Sequence, residues 1–323
     1  MDPGLFLADL ERKPDVLGAL ADLIDRGDFR WPLRADPAPE RVVLMGMGSS
    51  LYAAQAAALR LRANGVTAIA ESGSADATLP LAAHDVLVGI SAGGGSVETN
   101  RLFAATTGGH RIALTNTPGS AITEHADAVM NLHAQAEVGG VACRSFTNTL
   151  VALLALELQL TSQPTQLAHT VRAAATATAH LLDHRADWLA ITDELLSGPD
   201  GTWLLAPAER VSSALQGALM LREGPRRPAV GCETGDWSHV DVYLTKTLDY
   251  RALVFPGSRW DTQAADWLSQ RESTVVAVGQ PFPGARFVVE FPDADQPLVA
   301  LITDTTVPEL VAARWWARNR AAG

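Results

Sequence analysis

Short, unbroken apolar runs separated by stretches of helical periodicity recur along the whole chain. The pattern predicts strands at Arg41–Met45, Val66–Ala70, Val86–Ile90, Arg111–Thr115 and Ala128–Leu132. Helices are predicted at Ser50–Ala63, Glu98–Thr106 and Arg144–Leu160. Strands of this kind, apolar throughout and interleaved with helices, belong to a parallel sheet covered on both faces. Residues 5–27 form an amphipathic helical lead-in closed by Gly27, and residues 161–199 read as a helical connector. A second series then begins, with strands at Thr202–Ala206, Ala252–Phe255, Val275–Val278 and Arg286–Glu290. Helices at Ser212–Glu223, Trp260–Gln270 and Leu310–Asn319 alternate with them. The expected fold is α/β, with two doubly wound parallel-sheet domains in tandem. The expected division is a lead-in at 1–39, a first domain at 40–160, the connector at 161–199 and a second domain at 200–323.

The two halves look duplicated. Met45–Arg60 lines up with Ala206–Leu221 at an offset of 161 residues, placing Gln55 on Gln216. That offset is close to half of the 323 residues, as two similar domains would give.

Composition narrows the function classes. Hydrophobic content of 47% with 19% charged residues suits a globular protein with sizeable cores. A net charge of −11, with no basic run longer than Arg226-Arg227, argues against nucleic acid or an anionic membrane as partner. No apolar stretch approaches a membrane span, and Met1-Asp-Pro-Gly-Leu lacks the basic start of a signal peptide. A cytoplasmic location is expected. Two cysteines and scattered histidines offer neither a disulfide framework nor metal-ligand spacing, so no metal is expected. Lys13 and Lys246 are the only lysines, which leaves little scope for Schiff-base chemistry.

The chemistry concentrates in Ser91-Ala-Gly-Gly-Gly-Ser96, a loop between an apolar strand and a helix N-terminus. Free N–H groups and the positive end of the helix dipole would face an anion held there. Ser91 and Ser96 add hydroxyls, while Gly93, Gly94 and Gly95 allow close backbone approach. The loop lacks the Gly-Lys-Ser/Thr ending of a nucleotide P-loop, favouring a small phosphorylated molecule. The Gly46–Ser50 loop follows the preceding strand, so both lie where a doubly wound sheet binds ligands.

Four ordered landmarks carry a family resemblance: Gly46-Met-Gly-Ser-Ser50, Ser91–Glu98, Leu114-Thr-Asn-Thr-Pro-Gly-Ser120 and Glu137–Thr147. Together they resemble a SIS (sugar isomerase) domain of flavodoxin-like fold. Ala214–Glu223 and Gly235-Asp-Trp-Ser-His239 are similar to the second SIS domain in the isomerase part of glucosamine-6-phosphate synthase. The resemblance implies a sugar phosphate bound by Ser91, Gly93, Gly94 and Ser96, with Gly48, Ser49, Ser50 and Thr99 nearby. It also implies that Glu223 moves a proton between C1 and C2, and that His239, given by a neighbouring subunit of a homodimer, assists ring opening. The chemistry fits those roles: aldose–ketose interconversion through an enediol needs a carboxylate that is base and then acid. It requires no metal or organic cofactor. Gln216, Met220 and Glu223 are spaced to share one helix face and line one pocket.

Simpler roles stand beside these. Glu223, next to Gly224-Pro225, could be a solvated helix-end carboxylate, and His239 a surface or interface histidine. Glu137 could bind substrate or cap the following helix; Arg144 could assist the anion or form a salt bridge. Cys143 fits a small core residue, and Trp315-Trp316 core or interface. The chain also departs from the family pattern. Gly93 replaces a loop serine, Met220 replaces a lysine near the sugar, and the terminal Arg320-Ala-Ala-Gly323 lacks the synthase's tail lysine. No cysteine-nucleophile glutaminase segment precedes the first landmark, so a complete glutamine-dependent synthase is not expected. The expected ligand is a phosphorylated sugar or amino sugar, and the expected activity a phosphosugar isomerase. The alternatives are an amino-sugar-phosphate deaminase or fructosamine-phosphate deglycase, a non-catalytic sugar-phosphate sensor, and an amidotransfer partner of a separate glutaminase.

Overall fold

The computed structural model describes residues 1–34, 39–161 and 166–322. The chain divides into two units whose boundaries do not follow chain order. The first unit comprises Gly18–Ala136 and Arg144–His169; the second comprises Met1–Leu17, Glu137–Cys143 and Thr170–Gly323.

Two helices open the chain, α1 (Pro3–Glu11) and α2 (Lys13–Asp25). Asp2 caps α1, its carboxylate accepting from the Gly4 and Leu5 amides, and Pro3 occupies the first helical position where no donor is needed. The first unit then builds β1 (Val42–Gly46), α3 (Ser49–Ala63), β2 (Ala68–Ser72), β3 (Val86–Ile90), α4 (Val97–Ala105), β4 (His110–Thr115), β5 (Ala128–Asn131) and α5 (Arg144–Thr161). Its strands pair in parallel in the order β2-β1-β3-β4-β5. β1 and β3 are buried along their whole length, which is why their sequences carry no alternation. Val43, Met45, Leu87, Leu102, Phe103, Ala113 and Ile122 form a core on the sheet. Gly89 belongs to that packing, since a Cβ there would stand 2.7 Å from the Phe103 ring. Arg60 of α3 grips Glu157 of α5 with two hydrogen bonds of 2.9 Å each.

The connector consists of α6 (Leu167–Asp183) and α7 (Arg185–Leu196). The second series runs β6 (Thr202–Ala206), α8 (Val211–Glu223), β7 (Ala229–Glu233), α9 (Thr234–Trp237), β8 (Arg251–Val254), α10 (Asp261–Gln270), β9 (Thr274–Val278), β10 (Phe287–Val289), α11 (Pro297–Thr303) and α12 (Thr306–Ala322). Its parallel sheet has the order β10-β9-β8-β6-β7. Renumbered from its own start, this is the order of the first sheet. The fold is therefore two tandem doubly wound α/β domains of one topology.

Sequence patterning leaves β7 unassigned. Ala229-Val-Gly-Cys-Glu233 is an edge strand with Val230 41% exposed, so it carries no apolar run. The duplication finds it, because an offset of 161 carries β2, Ala68–Ser72, onto Ala229–Glu233.

The second core stacks Trp203 on Tyr250, ring centroids 4.2 Å apart, while the Trp237 indole donates to the Tyr250 hydroxyl at 2.7 Å. α1 packs on α12 through Phe6 and Trp316. Beside them Lys13 pairs with Glu309 at 2.6 Å, both side chains at most 1% exposed. That buried pairing removes one of the two lysines from any solvent chemistry. Among the described residues, no helix is long and apolar enough to cross a membrane.

Candidate functional site

In the first sheet the strand order reverses between β1 and β3, and Gly46 stands opposite Ile90 in register. The loops after these strands therefore leave the sheet side by side at its topological switch point. At the root of the β3 loop, the Ser91 amide donates to Leu114 O (3.1 Å). The end of β4 answers, with the Thr115 hydroxyl (3.1 Å) and the Asn116 amide (2.9 Å) both donating to Ala92 O.

The turn is set by Gly94. Its amide donates to Ser91 O at 3.0 Å, and its φ of +67° lies in the left-handed region. A Cβ there would run into the hydroxyl and Cβ of Ser120. The Asn100 side chain (3.0 Å) and the Ile122 amide (3.2 Å) then fix the Gly94 carbonyl. Gly93 is different: it is exposed, and a Cβ there would meet nothing within 4 Å. The serine absent at this position is thus not excluded by space.

Ser96 caps α4, accepting from the Thr99 amide at 3.4 Å, and lies 3.1 Å from the Thr99 hydroxyl and 3.2 Å from a Glu98 oxygen. Thr99 itself is fully buried and packs where Gly73 leaves room, so its hydroxyl braces Ser96. Glu98 is exposed beside the loop, its carboxylate against the Ser96 hydroxyl.

The β1 loop presents a second helix start. Gly48, with φ +50° and ψ −125°, precedes α3, and no side chain caps that helix. Ser49 and Ser50 begin it, both partly exposed. Gly46 lets the helix return against the strand, since a Cβ would lie 2.7 Å from Ser50 Cβ. The first unit thus brings Gly48, Ser49 and Ser50 into the loop adjoining that of Ser91, Gly93, Gly94 and Ser96. Sequence reasoning did not single out Ser120. Its hydroxyl is buried without a hydrogen-bond partner, against the Gly94 turn. The Leu114–Ser120 landmark was its signal, but only the tertiary contact points to the serine.

Arg144 opens α5 and is 1% exposed, its guanidinium donating to Ala136 O at 2.6 Å. It shapes the preceding turn from inside. In the second unit, Glu137 accepts the Cys143 amide at 2.7 Å and so closes the 137–143 loop. Asp9 of α1 holds the same loop through the Gly139 amide, also at 2.7 Å. Burial and the neighbouring Glu137 and Glu309 carboxylates push the Cys143 thiol well up, which makes it inert.

Gln216 and Met220 do share a face of α8, but they are buried there. The Gln216 amide donates to Ala142 O at 3.1 Å, spending the group expected to line a pocket on a loop carbonyl. Of the three, only Glu223 reaches partial exposure, at the last position of the helix. Desolvation raises its carboxyl pKa above the usual value. The negative end of the helix dipole acts in the same direction. His239 is exposed in the turn after α9, its amide bonded to Asp236 O at 2.9 Å. Among the described residues, no group of His, Cys, Asp or Glu is placed to hold a metal ion.

A family model described as "SIS domain" matches residues 38–158, the segment that carries both loops. The chain is also homologous to a glutamine–fructose-6-phosphate aminotransferase (isomerizing) of Aquifex aeolicus, 25% identical over 70% of this chain. The match covers 40% of that relative's length. In fold, the chain resembles the C-terminal domain of a glucosamine-fructose-6-phosphate aminotransferase from Francisella tularensis. The TM-score is 0.80 at 18% identity, covering 97% of this chain and 96% of that one. A tagatose-6-phosphate ketose/aldose isomerase from Escherichia coli gives 0.71 at 16% identity, over 96% and 92%.

Proposed function

We propose that this chain binds a phosphorylated sugar or amino sugar on the Ser91–Ser96 loop and interconverts its aldose and ketose forms. The observation that carries the reading is the paired loops at the switch point of the SIS domain. One is built around Ser91, Gly94 and Ser96; the other opens α3 with no side-chain cap. Loop amides and hydroxyls would hold the phosphate, whose binding energy positions the reacting carbons.

Glu223 is the acid/base in this reading. A desolvated carboxyl with a raised pKa is better matched to taking and returning a carbon-bound proton than an ordinary solvated one. His239 lies on an exposed turn, as a residue given to a neighbouring subunit of a homodimer has to. Glu137 and Arg144 serve the site by shaping the turns on which they lie. A cytoplasmic metabolic enzyme is the setting this implies.

The test is exchange of the C2 proton of candidate sugar phosphates in heavy water. The expected result is exchange with at least one of a panel of hexose and amino-hexose 6-phosphates, lost in Glu223→Gln. Tight binding without exchange across the panel overturns the enzyme reading in favour of a sensor. Two observations favour that second reading: Gly93 supplies no hydroxyl, and Glu98 stands against Ser96. Exchange retained by Glu223→Gln removes Glu223 from the mechanism.

A further inference from the structure

The second sheet repeats the topology of the first, so it repeats the switch point. The counterpart of β3 is β8, and the counterpart of the Ser91–Ser96 loop is Phe255-Pro-Gly-Ser-Arg-Trp260, also six residues, leading into α10. This loop carries one hydroxyl residue, Ser258, where the first carries Ser91 and Ser96, and its Phe255 is buried. The first helical residue after the loop is Val97 in one unit, 74% exposed, and Asp261 in the other.

Asp261 turns back onto the loop. One of its oxygens accepts from the Gly257 amide at 2.6 Å and the Ser258 amide at 3.1 Å, the third and fourth loop positions. Gly257 has φ +127°, and a Cβ on it would lie 3.0 Å from the Arg210 guanidinium. Arg210 is 8% exposed and donates to Pro256 O of this loop and to Asp304; desolvation raises the Asp261 pKa, and the Gly257 and Ser258 amides and the Arg210 charge oppose it. A pair of backbone donors, a nearby buried cation and the start of a helix thus surround a carboxylate. These are the elements of an anion cradle, with an anion of the chain's own in it.

We propose that Asp261 is a built-in anion filling the second unit's counterpart of the Ser91–Ser96 loop. The chain therefore takes a phosphate monoester at only one of its two switch points, and removing this carboxylate opens the second to phosphate. The count of one rests on the reading of the Ser91–Ser96 loop proposed above; the plugging of the second loop does not.

Inorganic phosphate titrated into isotopically labelled protein tests both, with separate reporters. The amides of Gly257 and Ser258 report the second loop, and those of Gly93, Gly94 and Gly95 the first. In the wild type the second set is expected to stay still while the first set moves. In Asp261→Ala the Gly257 and Ser258 amides are expected to shift with a Kd at least about tenfold lower than any binding there in wild type, because a competing charged acceptor is gone. Asp261→Asn keeps an oxygen on the loop and is expected to fall between the two. It also gives the readout should the alanine variant fold poorly. Equal shifts of Gly257 and Ser258 in wild type and variants, or no shift in any variant, overturn the proposal. Silence of the Gly93–Gly95 amides alone sinks the reading of the first loop and leaves that of Asp261 standing.

Discussion

Two neighbouring glycines of the Ser91–Ser96 loop are predicted to respond oppositely to the same change. Gly94→Ala puts a side chain on a residue with φ +67°, where left-handed backbone costs an L-residue about 1–2 kcal/mol. The new methyl also collides with the Cβ and hydroxyl of Ser120 and reaches 3.4 Å from the Thr115 hydroxyl. Overpacking of this sort adds about 1–3 kcal/mol. The loop cannot simply swing aside, because Asn100 and Ile122 both hold the Gly94 carbonyl. The expected total is about 2–5 kcal/mol. Gly93→Ala meets nothing within 4 Å and is expected within about 0.5 kcal/mol of wild type. Urea titration followed by circular dichroism measures the difference, and exchange of the Ile122 amide localises it. Because both side-chain atoms of Ser120 obstruct the methyl, Ser120→Gly in the Gly94→Ala background is expected to recover the collision term but not the backbone term. If Gly94→Ala proves as stable as Gly93→Ala, the turn described above is not the one the protein uses.

Three further outcomes are expected. Glu223→Gln should lower C2-proton exchange by about 10²–10⁴-fold; in wild type, exchange should fall as pH drops through the raised Glu223 pKa, with its acid limb above the ordinary glutamate range. Lys13→Met leaves the buried Glu309 carboxyl without its cation, for a cost of about 3–5 kcal/mol in a thermal or urea melt; Lys13→Met with Glu309→Leu should recover most of it. Asp193 accepts from Arg314 Nε (2.7 Å), the Trp315 indole (2.6 Å), Arg318 (2.8 Å) and the Ser197 hydroxyl (2.9 Å). Desolvation opposes its charge, but these donors outweigh it and hold its pKa below 3.8. Asp193→Asn should therefore cost about 1.5–3 kcal/mol at neutral pH. That difference should persist above pH ~4 and vanish as acid protonates the wild-type carboxyl through its depressed pKa, as urea melts at several pH values would show.

The architecture was legible because a buried parallel strand has no polar positions to blur it. Val86–Ile90 and Thr202–Ala206 carry the same bounds in sequence and structure. Ala229–Glu233 was not, since an edge strand with a solvent-facing valine and a central glycine resembles a loop. The anion loop was legible for a local reason, as glycine and serine between a strand and a helix have a direct chemical reading. What lay hidden depends on distant partners. Nothing near Ser120 in sequence announces Gly94, and nothing near Gln216 announces Ala142. Glu137 and Arg144 each answer a backbone group of their own turn, Cys143 N and Ala136 O, and the motif beside them announces neither contact.

The pairing of Lys13 with Glu309, separated by 296 residues, bears on how the chain is made. A nascent chain growing at about 5–20 residues per second exposes the first helix roughly 15–60 s before the residues that neutralise Lys13 exist. During that interval the apolar face of α1, with Phe6 and Leu10, has no Trp316 to cover it. The second unit is thus closed by helices from distant parts of the chain, and α1 stays uncovered until α12 has been made.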